Sequence, residues 1–259
     1  MGGWSCFFAP MPHVCAFDTK QDLFLYNARR GVSQAQQQVI ARRGGIMFVR
    51  EREESIRKCA ADSGFDIVEV LANLYEYLLF HLQPWCKADI QAVLEEPDIA
   101  AVRQGKYVSM HIRRTDKMTT ENVTETKAYF EHIVNYLNSP GPSLTATDIT
   151  GLWLSTDDET VVKEVKEMVP SYLPNITPER VVSITGRVPV SPRFEDRNTY
   201  QARVLLLTEM KMLAGSEVFS GTMTTNIGRI VVLMRYTLGK PKESVVSADD
   251  LIWAPGRFR

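Results

Sequence analysis

The sequence predicts an α/β protein: a Rossmann-like parallel sheet domain behind a mostly helical and irregular N-terminal part. Three observations predict it. From residue 107 onward, short β-prone runs alternate with amphipathic helical stretches, the pattern of parallel strands joined by right-handed crossovers. Polar residues cluster directly after those runs, where an open sheet presents its ligands. A chain of 259 residues that is 44% hydrophobic and 24% charged has enough apolar material for one large core or two modest ones. The expected division is an irregular and helical part over 1–100 and the sheet domain over 101–259.

The first fifty residues have weak periodicity, with Pro10, Pro12, a glutamine-rich patch and Gly44-Gly45. They predict irregular structure with one strand over 46–49. Residues 66–95 carry Val68, Leu71, Leu74, Tyr75, Leu78, Leu79 and Leu82 at helical spacing. Pro84 is expected to interrupt that helix, with a short resumption over 89–94. Glu69, Asn73, Glu76 and His81 break the apolar run, which makes it amphipathic and too polar for a membrane span.

Strands are then expected over 107–112, 152–155, 181–184 and 217–220. Helices are expected over 127–137, from 156 through Met168, over 200–213 and over 224–238. Thr156 and Glu159 have the spacing of a capping box, with Asp157 and Asp158 in the favourable first turn. Gly215 is placed to stop the third helix. His111 is expected to be packed within its strand. Trp4, Trp85, Trp153 and Trp253 are expected in the core.

A formal net charge of -1 offers no electrostatic case for nucleic acid or an acidic membrane surface, so any anion site must be local. The N-terminus lacks the basic and apolar segments of a signal peptide. Cys6, Cys15, Cys59 and Cys86 have no metal-ligand spacing. Cys6 and Cys15 fit either a small disulfide loop or two reduced thiols. Asn122-Val123-Thr124 and Asn175-Ile176-Thr177 are glycosylation sequons, meaningful only in the secretory pathway.

The phasing of polar groups carries the functional reading. Arg113 and Arg114 follow the first strand, Asp157 and Asp158 the second, and Thr222, Thr224 and Thr225 the last. Paired guanidiniums suit phosphate, since each presents a rigid fork of donors that never loses its proton. A surface ion-pair network is the plainer alternative for the arginines, and helix capping for the acids and threonines. Adjacent acids without an evident third ligand argue against a divalent metal.

Four segments recur in the order of a known family: Leu82-Gln83-Pro84-Trp85, His111-Ile112-Arg113-Arg114-Thr115-Asp116-Lys117, Ser155-Thr156-Asp157-Asp158, and Thr222-Met223-Thr224-Thr225-Asn226-Ile227-Gly228-Arg229. With them the chain resembles the α-1,6-fucosyltransferases that modify the innermost GlcNAc of N-glycans, relatives of the nodulation and protein O-fucosyltransferases. The resemblance implies that 101–259 is the second lobe of a GT-B-like fold and 1–100 a partial, mostly helical and irregular first lobe, with inverting, metal-independent transfer from GDP-fucose to a glycan or glycoprotein acceptor. By position, Arg113 and Arg114 would contact the donor phosphates, Lys117 would neutralise the departing diphosphate, and Glu121 would be the general base. Asp116 would be a supporting acid. Tyr129, Asp157, Asp158 and Glu209 would frame the donor pocket, with Thr225 near the phosphates.

The resemblance also implies Golgi localisation and a possible homodimer for a full-length member. Against the family pattern, the chain looks truncated at both ends. Glu209 stands where the family has aspartate, and Gly221 and Gly228 stand where it has a disulfide. A degenerate binding module without transfer activity, or a protein O-fucosyltransferase-like enzyme, is the alternative.

Overall fold

Prolines open two of the described helices. A computed structural model describes residues 82–114, 124–187 and 199–250, all within one compact unit, Ala72–Ala254. Helix α1, Pro84–Leu94, starts at the proline that was expected to interrupt it. Proline at the first helical position sacrifices no intrahelical hydrogen bond and already has helical φ. Pro97 begins α2, Pro97–Arg103, in the same way. That seven-residue helix was not foreseen, because Ile99 and Val102 alone are too few to mark a helical face. The strand expected over 46–49, the helix expected before residue 82, Cys6, Cys15, Cys59, Trp4, Trp253 and the Asn122 sequon lie outside the described residues.

Strand β1, Tyr107–Ile112, is buried along its whole length. Helices cover both faces of a parallel sheet, so its central strand is buried throughout, the polar Ser109 and His111 included. Val108, Met110 and Ile112 meet Tyr129, Phe130, Ile133 and Leu137 of α3, Thr126–Leu137, in the main core. Tyr107 and Ser109 alternate to the other face. There the Tyr107 hydroxyl donates to the Met212 carbonyl (2.9 Å) and the Ser109 hydroxyl to that of Leu213 (3.1 Å), both on α5, Tyr200–Gly215. Gly215 is therefore not a left-handed stop. It is the last helical residue, and a Cβ there would lie 2.9 Å from the Tyr107 hydroxyl.

Strand β2, Gly151–Thr156, lies parallel to β1, with Tyr107 opposite Gly151, and leads into α4, Glu159–Tyr172. Pro170 sits in the last turn of α4, where only a terminal hydrogen bond is lost. Strand β3 is Val181–Val182, two residues shorter than expected. Beyond it the Thr185 hydroxyl donates to the Thr156 carbonyl at 2.8 Å, so a side chain replaces the backbone ladder while Ile184 stays buried. Strand β4, Val218–Gly221, is displaced one residue from expectation, and α6, Asn226–Thr237, starts two residues later. Strand β5, Val245–Ser247, was not foreseen: three half-buried residues carry no periodic signal.

The strand order is β3-β2-β1-β4-β5, all parallel. The chain winds outward through β2 and β3, then returns to the other side of β1 for β4 and β5. The winding direction thus reverses between β1 and β4, which is where ligands bind in open α/β sheets. Buried Arg235 of α6 secures the entry to β4. Its guanidinium donates to the carbonyls of Ala214 (3.1 Å), Ser216 (2.7 Å) and Glu217 (3.0 Å), and to the Ser244 hydroxyl. Trp153 is fully buried as expected, whereas Trp85 is 43% exposed against the exposed ring of Tyr200.

Candidate functional site

Four segments meet the carboxyl edge of the sheet: the ends of β1, β2 and β4, and the turn after β5. Past Ile112, Arg113 and Arg114 are both half-buried. The Arg114 amide donates to Asp157 Oδ1 at 2.8 Å, which binds the end of β1 to that of β2. Its guanidinium donates to the Thr126 hydroxyl at 2.8 Å and lies 3.5 Å from Glu164 on α4. Arg114 therefore braces β1 against the helices of one face. Arg113 precedes it at the strand's mouth.

Asp158 caps α4. Its Oδ1 accepts from the Thr160 amide (2.8 Å) and hydroxyl (2.7 Å), which hold its carboxyl below the usual carboxylate range. The expected capping box from Thr156 to Glu159 does not form. The Asp158 carboxylate is the stronger acceptor and starts the helix itself, and the Thr156 hydroxyl accepts from the Asp158 amide at 3.3 Å.

Tyr129, 2% exposed, reaches from α3 toward the end of β4 and is hydrogen-bonded to the Thr222 side chain. Burial, and then the negative charge of Asp249, push its hydroxyl up to about 12, against opposing pulls from Arg114 and Thr222. Thr225 is the N-cap of α6. Its hydroxyl donates to the Thr222 carbonyl (2.8 Å) and accepts from the Gly228 amide (3.0 Å). Gly228 is required by that packing, since a Cβ would lie 2.6 Å from the Thr222 carbonyl oxygen.

On the opposite face of the sheet, Glu209 of α5 is hydrogen-bonded to Ser155 at the end of β2. Burial pushes its carboxyl up to about 7, partly offset by Ser155. His111 is 4% exposed, as expected of a packed strand residue.

The sequence reading overlooked Asp249. Its carboxylate accepts from the amides of Met223 (3.1 Å) and Thr224 (3.2 Å) and from the Thr224 (3.1 Å) and Ser247 hydroxyls. Burial raises its proton affinity, but the hydrogen bonds from Ser247, Met223 and Thr224 prevail and hold it below the usual range. The only available signal was an acid following a strand end, and that strand was too short to be seen.

Arg114, Asp157, Asp158, Tyr129 and Thr225 thus sit at the ends of β1, β2 and β4, and Glu209 reaches Ser155 from the other face. Asp116, Lys117 and Glu121 lie outside the described residues. Among the described residues, no group of three or more His, Cys, Asp or Glu side chains is placed to hold a metal ion. No helix among them is long and apolar enough to cross a membrane.

Residues 64–252 match the family model for the N- and catalytic domains of α-(1,6)-fucosyltransferase. A search of curated proteins found no match. Among solved structures, the chain is similar to NodZ α-1,6-fucosyltransferase soaked with GDP-fucose, at 15% identity and a TM-score of 0.39, over 61% of this chain and 45% of that one. NodZ from Bradyrhizobium matches at 15% identity, a TM-score of 0.36 and the same coverage. POFUT1 in complex with GDP-fucose matches at 11% identity and a TM-score of 0.42, over 69% and 49% of the two chains. The chain spans just under half the length of these structures.

Proposed function

This chain belongs to the α-(1,6)-fucosyltransferase family, and from that premise we propose that its sheet domain holds the GDP-fucose of an inverting, metal-independent fucosyltransferase. One observation carries the reading: the arginine pair and the Thr222–Thr225 turn stand at the ends of β1 and β4, where the winding of the sheet reverses. Arg113 is the phosphate contact in this reading. The guanidinium of Arg114 already braces α3 and α4, so it supports the site through position and charge.

Departure of GDP leaves negative charge on a phosphate oxygen. Arg113 and Lys117 absorb it, with charge-assisted hydrogen bonds contributing about 1.5–3 kcal/mol each. Glu121 takes the proton of the acceptor hydroxyl, a step worth roughly 10²–10⁴-fold in rate. The acceptor is the innermost GlcNAc of an N-glycan, joined in α-1,6 linkage, and the setting is the Golgi lumen. Asp157 organises the β1 end, and Glu209 and Tyr129 wall the donor pocket.

Titration calorimetry with GDP, UDP and ADP tests the donor site. Micromolar binding of GDP with at least tenfold weaker UDP and ADP supports it, and equal affinities or no binding refute it. Transfer from GDP-fucose in chelator, with glycan and folded-domain acceptors in parallel, tests the chemistry. Metal-dependent transfer, or turnover that survives Glu121→Gln, would remove the corresponding assignment. The alternative reading is a nucleotide-sugar-binding module without turnover. GDP-fucose binding with no transfer to any acceptor would select it.

A further inference from the structure

The turn after β4 is held by a residue from outside it. The Ala248 amide donates to the Gly221 carbonyl at 3.1 Å, extending the ladder between β4 and β5 and bringing Asp249 beside the turn. Asp250 then adopts φ 55, a left-handed conformation that Asp and Asn tolerate better than other side chains. The Asp249 carboxylate lies against the Met223 and Thr224 amides. With the Thr224 and Ser247 hydroxyls, four donors fill its two oxygens.

We infer that Asp249 is a positioning residue of the donor site, fixing the Thr222–Thr225 turn so that the first-turn amides of α6 face the carboxyl edge of the sheet. The inference rests on the donor-site reading above. Each part of the turn has its own restraint: Thr222 is held by Tyr129, Met223 and Thr224 by Asp249, and Thr225 by its cap on Gly228. The Asp249 clamp consumes the amides of Met223 and Thr224, and the Thr225 amide donates back to the Thr222 carbonyl. The donors that remain for an anion are the Asn226 and Ile227 amides at the start of α6, since the Gly228 amide is taken by the Thr225 cap. Their direction is set by the turn, so the affinity of a diphosphate depends on a carboxylate that does not touch it.

The test compares the full chain with its Asp249→Asn and Ser247→Ala variants, reading GDP affinity by calorimetry and amide hydrogen exchange at Met223 and Thr224 without nucleotide. Asparagine keeps the shape but turns an N–H₂ toward donors. Loss of one or two charge-assisted bonds predicts faster exchange at both amides and GDP binding at least about tenfold weaker in Asp249→Asn. Ser247→Ala removes one donor and keeps the charge, so its affinity should fall roughly two- to fivefold. Should Asp249→Asn fail to fold, Ser247→Ala decides. Unchanged GDP affinity in the folded variants, even with faster exchange, would make Asp249 a purely structural clamp and overturn the inference alone. Wild-type chain that binds no GDP would overturn the donor-site reading and this inference together.

Discussion

The backbone amide of Arg114 donates to the carboxylate of Asp157 at 2.8 Å, fastening β1 to β2 at the edge where the candidate site lies. An acid read from sequence as a pocket-framing group thus also holds the peptide that carries the arginine pair. Asp157→Ala leaves that amide without its acceptor. It should destabilise the protein by about 1–3 kcal/mol and weaken GDP binding several-fold, checked by urea denaturation and calorimetry. Asp157→Asn, which keeps one acceptor oxygen, should lose less than half as much stability.

The two arginines should separate by readout. Arg114→Met removes the bond to Thr126 and the contact with Glu164, at a cost of about 1–2 kcal/mol. Arg113→Ala should read out as reduced GDP affinity in the folded variant.

Glu209 makes stability depend on pH in an unusual direction for a carboxylate. Its folded pKa is about 7 against an ordinary 4.5, so the folded protein binds its proton more tightly than the unfolded chain. The resulting stabilisation is complete below about pH 4.5 and is lost as pH rises through 7. Between those limits the loss is at most about 3 kcal/mol. Glu209→Gln should therefore raise the thermal midpoint at pH 8 and leave it nearly unchanged at pH 4.5. Parallel midpoint-versus-pH curves for wild type and variant would rule this out.

Arg235 should be the most sensitive single position among those described. Arg235→Met strips hydrogen-bond donors from the carbonyls of Ala214, Ser216 and Glu217 at once. Leaving several buried acceptors unpaired predicts a loss of about 3–5 kcal/mol, measured as a shift of the urea midpoint at constant m-value.

The sheet was legible in the sequence where its strands were long and covered on both faces. The β-prone run of β1 and the period of α3 predict their positions to within a residue. The short edge strands β3 and β5 were misjudged or missed because two or three residues present no period. Buried Ile184 mimicked a strand while the hydroxyl of Thr185 had already taken over the pairing. Pro84 and Pro97 were hard to place because one residue type both breaks helices and begins them. In the site, Asp157, Asp158 and Thr225 were visible because each follows a strand end. Asp249 was hidden behind unrecognised β5, and its part depends on a contact 25 and 26 residues away in the chain.

The most direct measurement is calorimetric titration of GDP into wild-type chain and Arg113→Ala under identical buffer and salt. The account predicts saturable binding by wild type and a loss of about 10–100-fold in the variant, whose far-UV spectrum shows that it is folded. Equal GDP affinity in the two folded proteins, or none in either, would contradict it.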